Sequence, residues 1–153
     1  MDEQSLEDFL SSDGTRLSTA YDSVYNDLCK KAEDDGTKKP FKNKSDLFPV
    51  ALIIGVLNNK RDDTKKEAGF VRFSSVSEHN KNIIKMFFHS VAKGKSWSDK
   101  WKDIKELADG GIQIIDEDFK KTKEFDVYKF FADINKMWPD RAKEIIKKIQ
   151  ESS

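Results

Sequence analysis

Ile104-Lys105-Glu106-Leu107-Ala108-Asp109-Gly110-Gly111-Ile112-Gln113-Ile114-Ile115 is the stretch on which the architecture depends. A Gly-Gly pair ordinarily marks a turn. Here the apolar phase runs through it at spacings of three and four, through Ile104, Leu107, Ala108, Gly111, Ile112, Ile115 and Phe119. That is the period of one helical face. Two glycines weaken a helix by about 2 kcal/mol relative to alanine. A single helix over about 98–120 is therefore expected to lie under a closely crossing neighbour whose packing offsets that loss. Ser96 or Ser98 supplies its start signal.

Upstream, Leu47, Val50, Ala51, Ile54 and Leu57 form one face of a helix over about 45–58, widened by Phe48, Ile53 and Val56, so this helix is expected to be central. Ser45 is its expected cap, with Asp46 in the first turn where the helix dipole favours an acid. Pro49 is placed near the first turn, where little backbone hydrogen bonding is lost. Phe70, Val71 and Phe73 fall in a segment, 69–73, that is too short for a helix and rich in strand formers. A strand needs a partner, and a second copy of the chain is one candidate. Ser75-Val76-Ser77-Glu78 matches a capping box opening a helix over about 76–93, with Ile83, Ile84, Phe87, Phe88 and Val91 on its inner face and Gly94 at its end.

Toward the N-terminus, Leu6, Phe9 and Leu10 are spaced as one or two helical turns. Leu17, Ala20, Tyr21, Val24 and Leu28 read as a helix over 15–33. Residues 36–44 read as a linker. Toward the C-terminus, Phe125, Tyr128, Phe131, Ala132 and Ile134 form one further helical face, and Ala142, Ile145, Ile146 and Ile149 another beyond Trp138-Pro139. The expected fold is mainly α: a compact multi-helix single domain with at most a short strand or hairpin near 69–73. Within it, 1–36 form an acidic helical arm and 37–153 the main helical body.

Composition narrows the class. A chain of 153 residues is long enough to bury a core without metal or disulfides. The single cysteine, Cys29, fits a reducing compartment. The acidic N-terminus lacks the apolar segment of a secretory signal, and the longest apolar run, 48–57, is about half a membrane span. A cytoplasmic protein is expected, with no membrane partner.

The net charge of zero hides a strong asymmetry. Residues 1–36 carry ten acids and three bases, 37–105 seven acids and sixteen bases, and 106–153 eleven acids and nine bases. Local charge, not the sum, sets the field a partner meets. The basic candidates are Lys38, Lys39, Lys42 and Lys44 before the central helix and Lys60, Arg61, Lys65 and Lys66 after it, about 20 Å apart by helical rise. Lys81 and Lys85 extend the set. Such a surface neutralises phosphates without reading sequence. The blander reading is that lysine fills solvated positions. Trp97 and Trp101, four residues apart, can stack on bases or anchor an interface, although aromatic residues at this spacing more often pack in a core. The acidic arm is the natural counterweight, folding across the basic residues of its own subunit or a neighbour's. On that view, deleting 1–36 raises polyanion binding.

Nothing in the sequence assembles a catalytic constellation. His79 and His89 lie ten residues apart and share no metal-ligand spacing. Cys29 sits near an expected helix C-terminus, where the dipole works against a thiolate. Asp116, Glu117 and Asp118 read as a solvated helix face. No phosphate-binding glycine loop, cofactor motif or small-molecule site is apparent. No enzyme activity and no cofactor are expected.

The block Phe41-Lys42-Asn43-Lys44-Ser45-Asp46-Leu47-Phe48-Pro49-Val50-Ala51-Leu52-Ile53-Ile54-Gly55-Val56, followed by Asn58-Asn59-Lys60-Arg61, resembles the opening of small accessory proteins of DNA phosphorothioation (Dnd) systems. Those proteins combine an aromatic, a capped helix ending in a small-residue motif, and a basic turn. The segments 70–78, 104–115 with its Gly-Gly step, and 125–134 are similar to later parts of that family. The resemblance covers roughly 41–135, and its motifs are packing motifs. It implies a non-enzymatic accessory protein of a prokaryotic DNA-modification or restriction defence system, with DNA or a DNA-processing protein complex as partner, and brings no catalytic residue. The alternative is a protein–protein adaptor or inhibitor that oligomerises through Trp97 and Trp101.

Overall fold

A computed structural model describes residues 5–12, 14–29, 41–63, 68–90, 92 and 94–123. The helices expected over 125–134 and beyond 139, and most of the 36–44 segment, lie outside the described residues. Among those described, five helices and a two-stranded sheet follow in the order α1 (Leu6–Ser11), β1 (Arg16–Thr19), α2 (Asp22–Leu28), α3 (Lys44–Leu57), β2 (Ala68–Arg72), α4 (Glu78–Ser90) and α5 (Trp97–Thr122). A 3-10 turn, Phe73–Ser75, joins β2 toward α4. The domain is mainly α, as its periodicity indicates.

α5 is one continuous helix through Gly110-Gly111. Its start is fixed by Ser96, whose side chain accepts from the Asp99 amide at 3.1 Å. Its partner is α3, and the two meet backbone to backbone. A Cβ on Gly111 would collide with the Ala51 carbonyl oxygen and lie 2.8 Å from the Gly55 nitrogen; one on Gly55 would collide with the Leu107 carbonyl oxygen. Real Cβ atoms do not tolerate such approaches, so these positions require glycine. Around the crossing, Leu47, Phe48, Ala51, Leu52 and Ile54 of α3 are buried with Ile104, Leu107, Ala108, Ile112 and Ile115 of α5. That apolar burial offsets the low helix propensity of the glycines.

α3 departs from expectation at its start. The cap is Asn43, not Ser45: its Oδ1 accepts from the Asp46 amide at 3.0 Å. Pro49 is therefore the sixth helical residue, beyond the free first turn. Its missing N–H leaves the Ser45 carbonyl without its intrahelical donor. Asn80 of α4 fills that role: its Nδ2 donates to Ser45 O at 3.2 Å and to Asp46 Oδ1 at 2.9 Å. Asn80 is buried and Ser45 half-buried, so losing that bond would leave the Ser45 carbonyl short of a donor and strand the buried Asn80 amide, at about 1 kcal/mol or more. One polar side chain thus repairs α3 and docks α4 on it. α4 itself is capped by Ser77, whose Oγ accepts from the Asn80 amide at 3.4 Å, while Ser75 of the expected capping box lies in the 3-10 turn.

The helix expected over 15–33 is split. Arg16–Thr19 form a strand antiparallel to β2, pairing Arg16 with Arg72 and Leu17 with Val71, then, after a register shift, Ser18 with Gly69 and Thr19 with Ala68. Phe73 N extends the pairing to Thr15 O at 2.9 Å. Ser18 and Thr19 compete with helix through their hydroxyls, and β2 needs a partner more than α2 needs another turn. The strand thus pairs within its own chain. Among the described residues of the acidic N-terminal segment, Leu10, Leu17, Tyr25 and Leu28 are fully or nearly buried in the same core as α3 and α5.

Candidate functional site

The described basic residues sit at the two ends of α3 and along α4. Lys42 is exposed. Lys44, the first residue of α3, places its Nζ 2.8 Å from Asp22 Oδ1 and 5.9 Å from the Phe70 ring centroid. At the far end α3 closes through a Schellman motif, with Lys60 N donating to Gly55 O at 2.9 Å and Asn59 N to Val56 O at 3.1 Å. Asn59 takes the left-handed conformation this needs, with φ 49°. Lys60 then runs against α5, where its carbonyl occupies the space a Cβ on Gly110 would take. Arg61 grips Asp103 with Nε at 2.7 Å and Nη2 at 3.4 Å, and its Nη1 donates to Asn59 Oδ1 at 3.0 Å. Lys81 pairs with Glu78 at 3.5 Å and Lys85 with Glu7 at 2.9 Å. Lys38, Lys39, Lys65 and Lys66 lie outside the described residues.

The structure therefore brings together what the charge map only juxtaposes. Lys44, Arg61, Lys81 and Lys85 each have a carboxylate of the same chain beside them, and two of those acids, Glu7 and Asp22, come from the acidic N-terminal segment.

The stem of the basic loop is held by more than Arg61. Asp62 N donates to Glu106 O at 3.0 Å, and its carboxylate accepts from Tyr21 Oη of the β1–α2 corner and from Gln113 Nε2 of α5. Asp109, buried on α5, ties down the same corner: Thr19 Oγ1 donates to its Oδ1 at 2.6 Å and Ala20 N to its Oδ2 at 3.1 Å. Beside these lies a cleft of about 800 Å³ with Phe9 and Trp101 as apolar lining and Asp63, Glu106, Lys102 and Lys105 among its charged groups. Sequence reading missed Asp62, Asp103 and Asp109. For Asp103 and Asp109 the available signal was their place beside Ile104 and Ala108 of the apolar phase of α5; Asp62, in a loop, gave none.

Trp101 is buried, stacked on Phe88 at 5.7 Å between centroids and 8° between planes. Trp97 is half-buried, edge-on to Phe88 at 6.2 Å and to His89 at 6.1 Å. Of the two expected interface residues, only Trp97 has a partly open face. His79 and His89 are exposed, Cys29 is buried, and no cluster of three or more potential metal ligands occurs among the described residues. No helix among them is long and apolar enough to cross a membrane.

Tyr25 is fully buried and its hydroxyl has no partner among the described residues. Burial pushes its phenol well above the ordinary 10.0, and Asp109 and then Cys29 add to the shift. The unfolded chain therefore releases this proton first as pH rises. The protein is expected to lose stability above pH 10.0. Tyr25→Phe should reduce that alkaline loss and be neutral or stabilising by about 1 kcal/mol at pH 7; urea melts across pH 7 to 11 would show it, and a clearly destabilised Phe variant would reveal a hydroxyl that is satisfied after all.

No family model, curated protein or solved structure matches this chain.

Proposed function

We propose that this protein is a non-enzymatic accessory component of a prokaryotic DNA-modification or restriction defence system, acting by docking on DNA, or on a DNA-processing partner, through its basic residues. The observation that carries the reading is the charge asymmetry: sixteen bases against seven acids between 37 and 105, with α3 as the spacer between two clusters. The resemblance of 41–135 to the Dnd accessory proteins supplies the biological setting. It rests on the 41–61 block, 70–78, the Gly-Gly segment 104–115 and 125–134, and of these α3 and α5 cross in close contact. A protein–protein adaptor is the second reading, favoured by the carboxylates beside four of the basic residues, which lower the charge available to a phosphate.

Fluorescence anisotropy with plain and phosphorothioated duplex DNA, at low and moderate salt, separates them. DNA docking predicts binding that falls steeply with salt and weakens further in Lys42→Glu and Lys60→Glu. Arg61 is unsuitable for charge reversal because it neutralises buried Asp103. Absence of binding at low salt overturns the DNA reading. A mass that rises with protein concentration would then favour the adaptor.

A further inference from the structure

We propose that Glu7 and Asp22 screen Lys85 and Lys44, and that a nucleic-acid phosphate binds by displacing these two carboxylates. The inference rests on the DNA reading above and adds a built-in attenuator to it.

Among the described residues, only these two pairs of the basic set combine three features. They are tertiary, joining α1 to α4 and α2 to α3, so they reflect how the acidic segment docks rather than helix spacing. Both are well formed, at 2.9 Å for Glu7–Lys85 and 2.8 Å for Asp22–Lys44. In both, the acid is the more exposed partner: the side chains of Glu7 and Asp22 are 72% and 41% exposed, those of Lys85 and Lys44 25% and 29%. The lysine is the more buried partner of each pair, and the carboxylate the one more open to solvent.

That arrangement is easy to open. Surface pairs of this kind contribute little to stability, and the one further side-chain contact of Asp22 among the described residues, from Asn26 Nδ2 at 3.4 Å, is at the long limit of a hydrogen bond. Lys44 keeps a contact that does not depend on Asp22, its Nζ lying 5.9 Å from the Phe70 ring centroid. Arg61–Asp103 behaves oppositely, because the Asp103 side chain is 10% exposed and its release would strand a buried charge. Lys81–Glu78 is a local pair at 3.5 Å within one helix. A phosphate arriving at Lys44 or Lys85 thus replaces one anion by another, and the carboxylates subtract from its affinity.

The test is the double variant Glu7→Gln, Asp22→Asn in the full chain, compared with wild type and with Glu117→Gln, an exposed acid of α5. Circular dichroism melts confirm that each variant folds. Duplex DNA affinity by anisotropy at low salt should rise about three- to five-fold per site, the scale of a lost surface pair, and the salt dependence should steepen as freed lysines join the counterion exchange. Adding Lys44→Gln and Lys85→Gln should abolish the gain. If the double variant binds no better than Glu117→Gln while wild type binds DNA, the screening is wrong and the DNA reading stands. If neither wild type nor the double variant binds, both are overturned.

Discussion

Gly111→Ala is expected to destabilise the protein by about 3 kcal/mol or more, a large fraction of what a domain this size holds in reserve. In an ordinary helix interior the same change stabilises by about 1 kcal/mol, because alanine is the better helix former. The sign is decided by what the new methyl meets. At Gly111 it meets the Ala51 carbonyl oxygen and lies 2.8 Å from the Gly55 nitrogen, all of it backbone of α3 that no rotamer change can move. The helices must separate, and separation loosens the layer of Leu52, Leu107, Ala108 and Ile112 between them. Gly55→Ala should behave alike, since its Cβ would strike the Leu107 carbonyl oxygen. Once one substitution has forced the helices apart, the second has less left to disrupt, so the double variant should fall well short of additivity. Gly14→Ala, with nothing within 4 Å of its Cβ, is the control. Urea unfolding followed by circular dichroism reads all four; a Gly111→Ala variant as stable as wild type would mean that the two helices do not cross as described.

The same crossing explains which parts of the fold were readable. The continuity of α5 was legible because apolar phase is a local property that survives the two glycines. α3, β2 and α4 were legible for the same reason, within one to three residues at most ends. What failed was non-local. Nothing in residues 15–20 announces that β2 lies alongside, so a helical spacing that includes Leu17 and Ala20 ran on across a strand. Asn43 outcompeted Ser45 as cap, which moved Pro49 deeper into the helix, and its compensation comes from Asn80, thirty-one positions away. For the site, the charge map picked out basic residues before and after α3, of which Lys42, Lys44, Lys60 and Arg61 are described. It did not reveal that Asp22 and Asp103 come to lie against Lys44 and Arg61, or Glu7 against Lys85 of α4, because ion pairs between elements are set by docking rather than by spacing.

The aromatic pair makes the distinction sharpest, and Trp101→Ala is the second change with a large expected effect, a loss of about 3–5 kcal/mol. Trp101 is 5% exposed. It is wedged among three phenylalanines from three elements: stacked on Phe88 of α4, edge-on to Phe73 of the 3-10 turn at 6.2 Å, and tilted against Phe48 of α3 at 6.1 Å. Truncation empties the space those rings share, and they cannot collapse together because each is anchored on a different backbone. Trp97 offers the contrast. It is half-buried, touches Phe88 and His89 at its edges and carries Lys100 over its ring at 5.0 Å, so Trp97→Ala should lose about 1 kcal/mol or little more. The two tryptophans looked equivalent in sequence, four residues apart on one helix, and only packing tells them apart. Base stacking or a protein partner can use Trp97 without disturbing the core, whereas Trp101 would have to leave it. Denaturant melts of both variants, with DNA and self-association assays on Trp97→Ala, decide the matter. A mild Trp101→Ala phenotype would place that ring outside the core and return it to the list of contact residues.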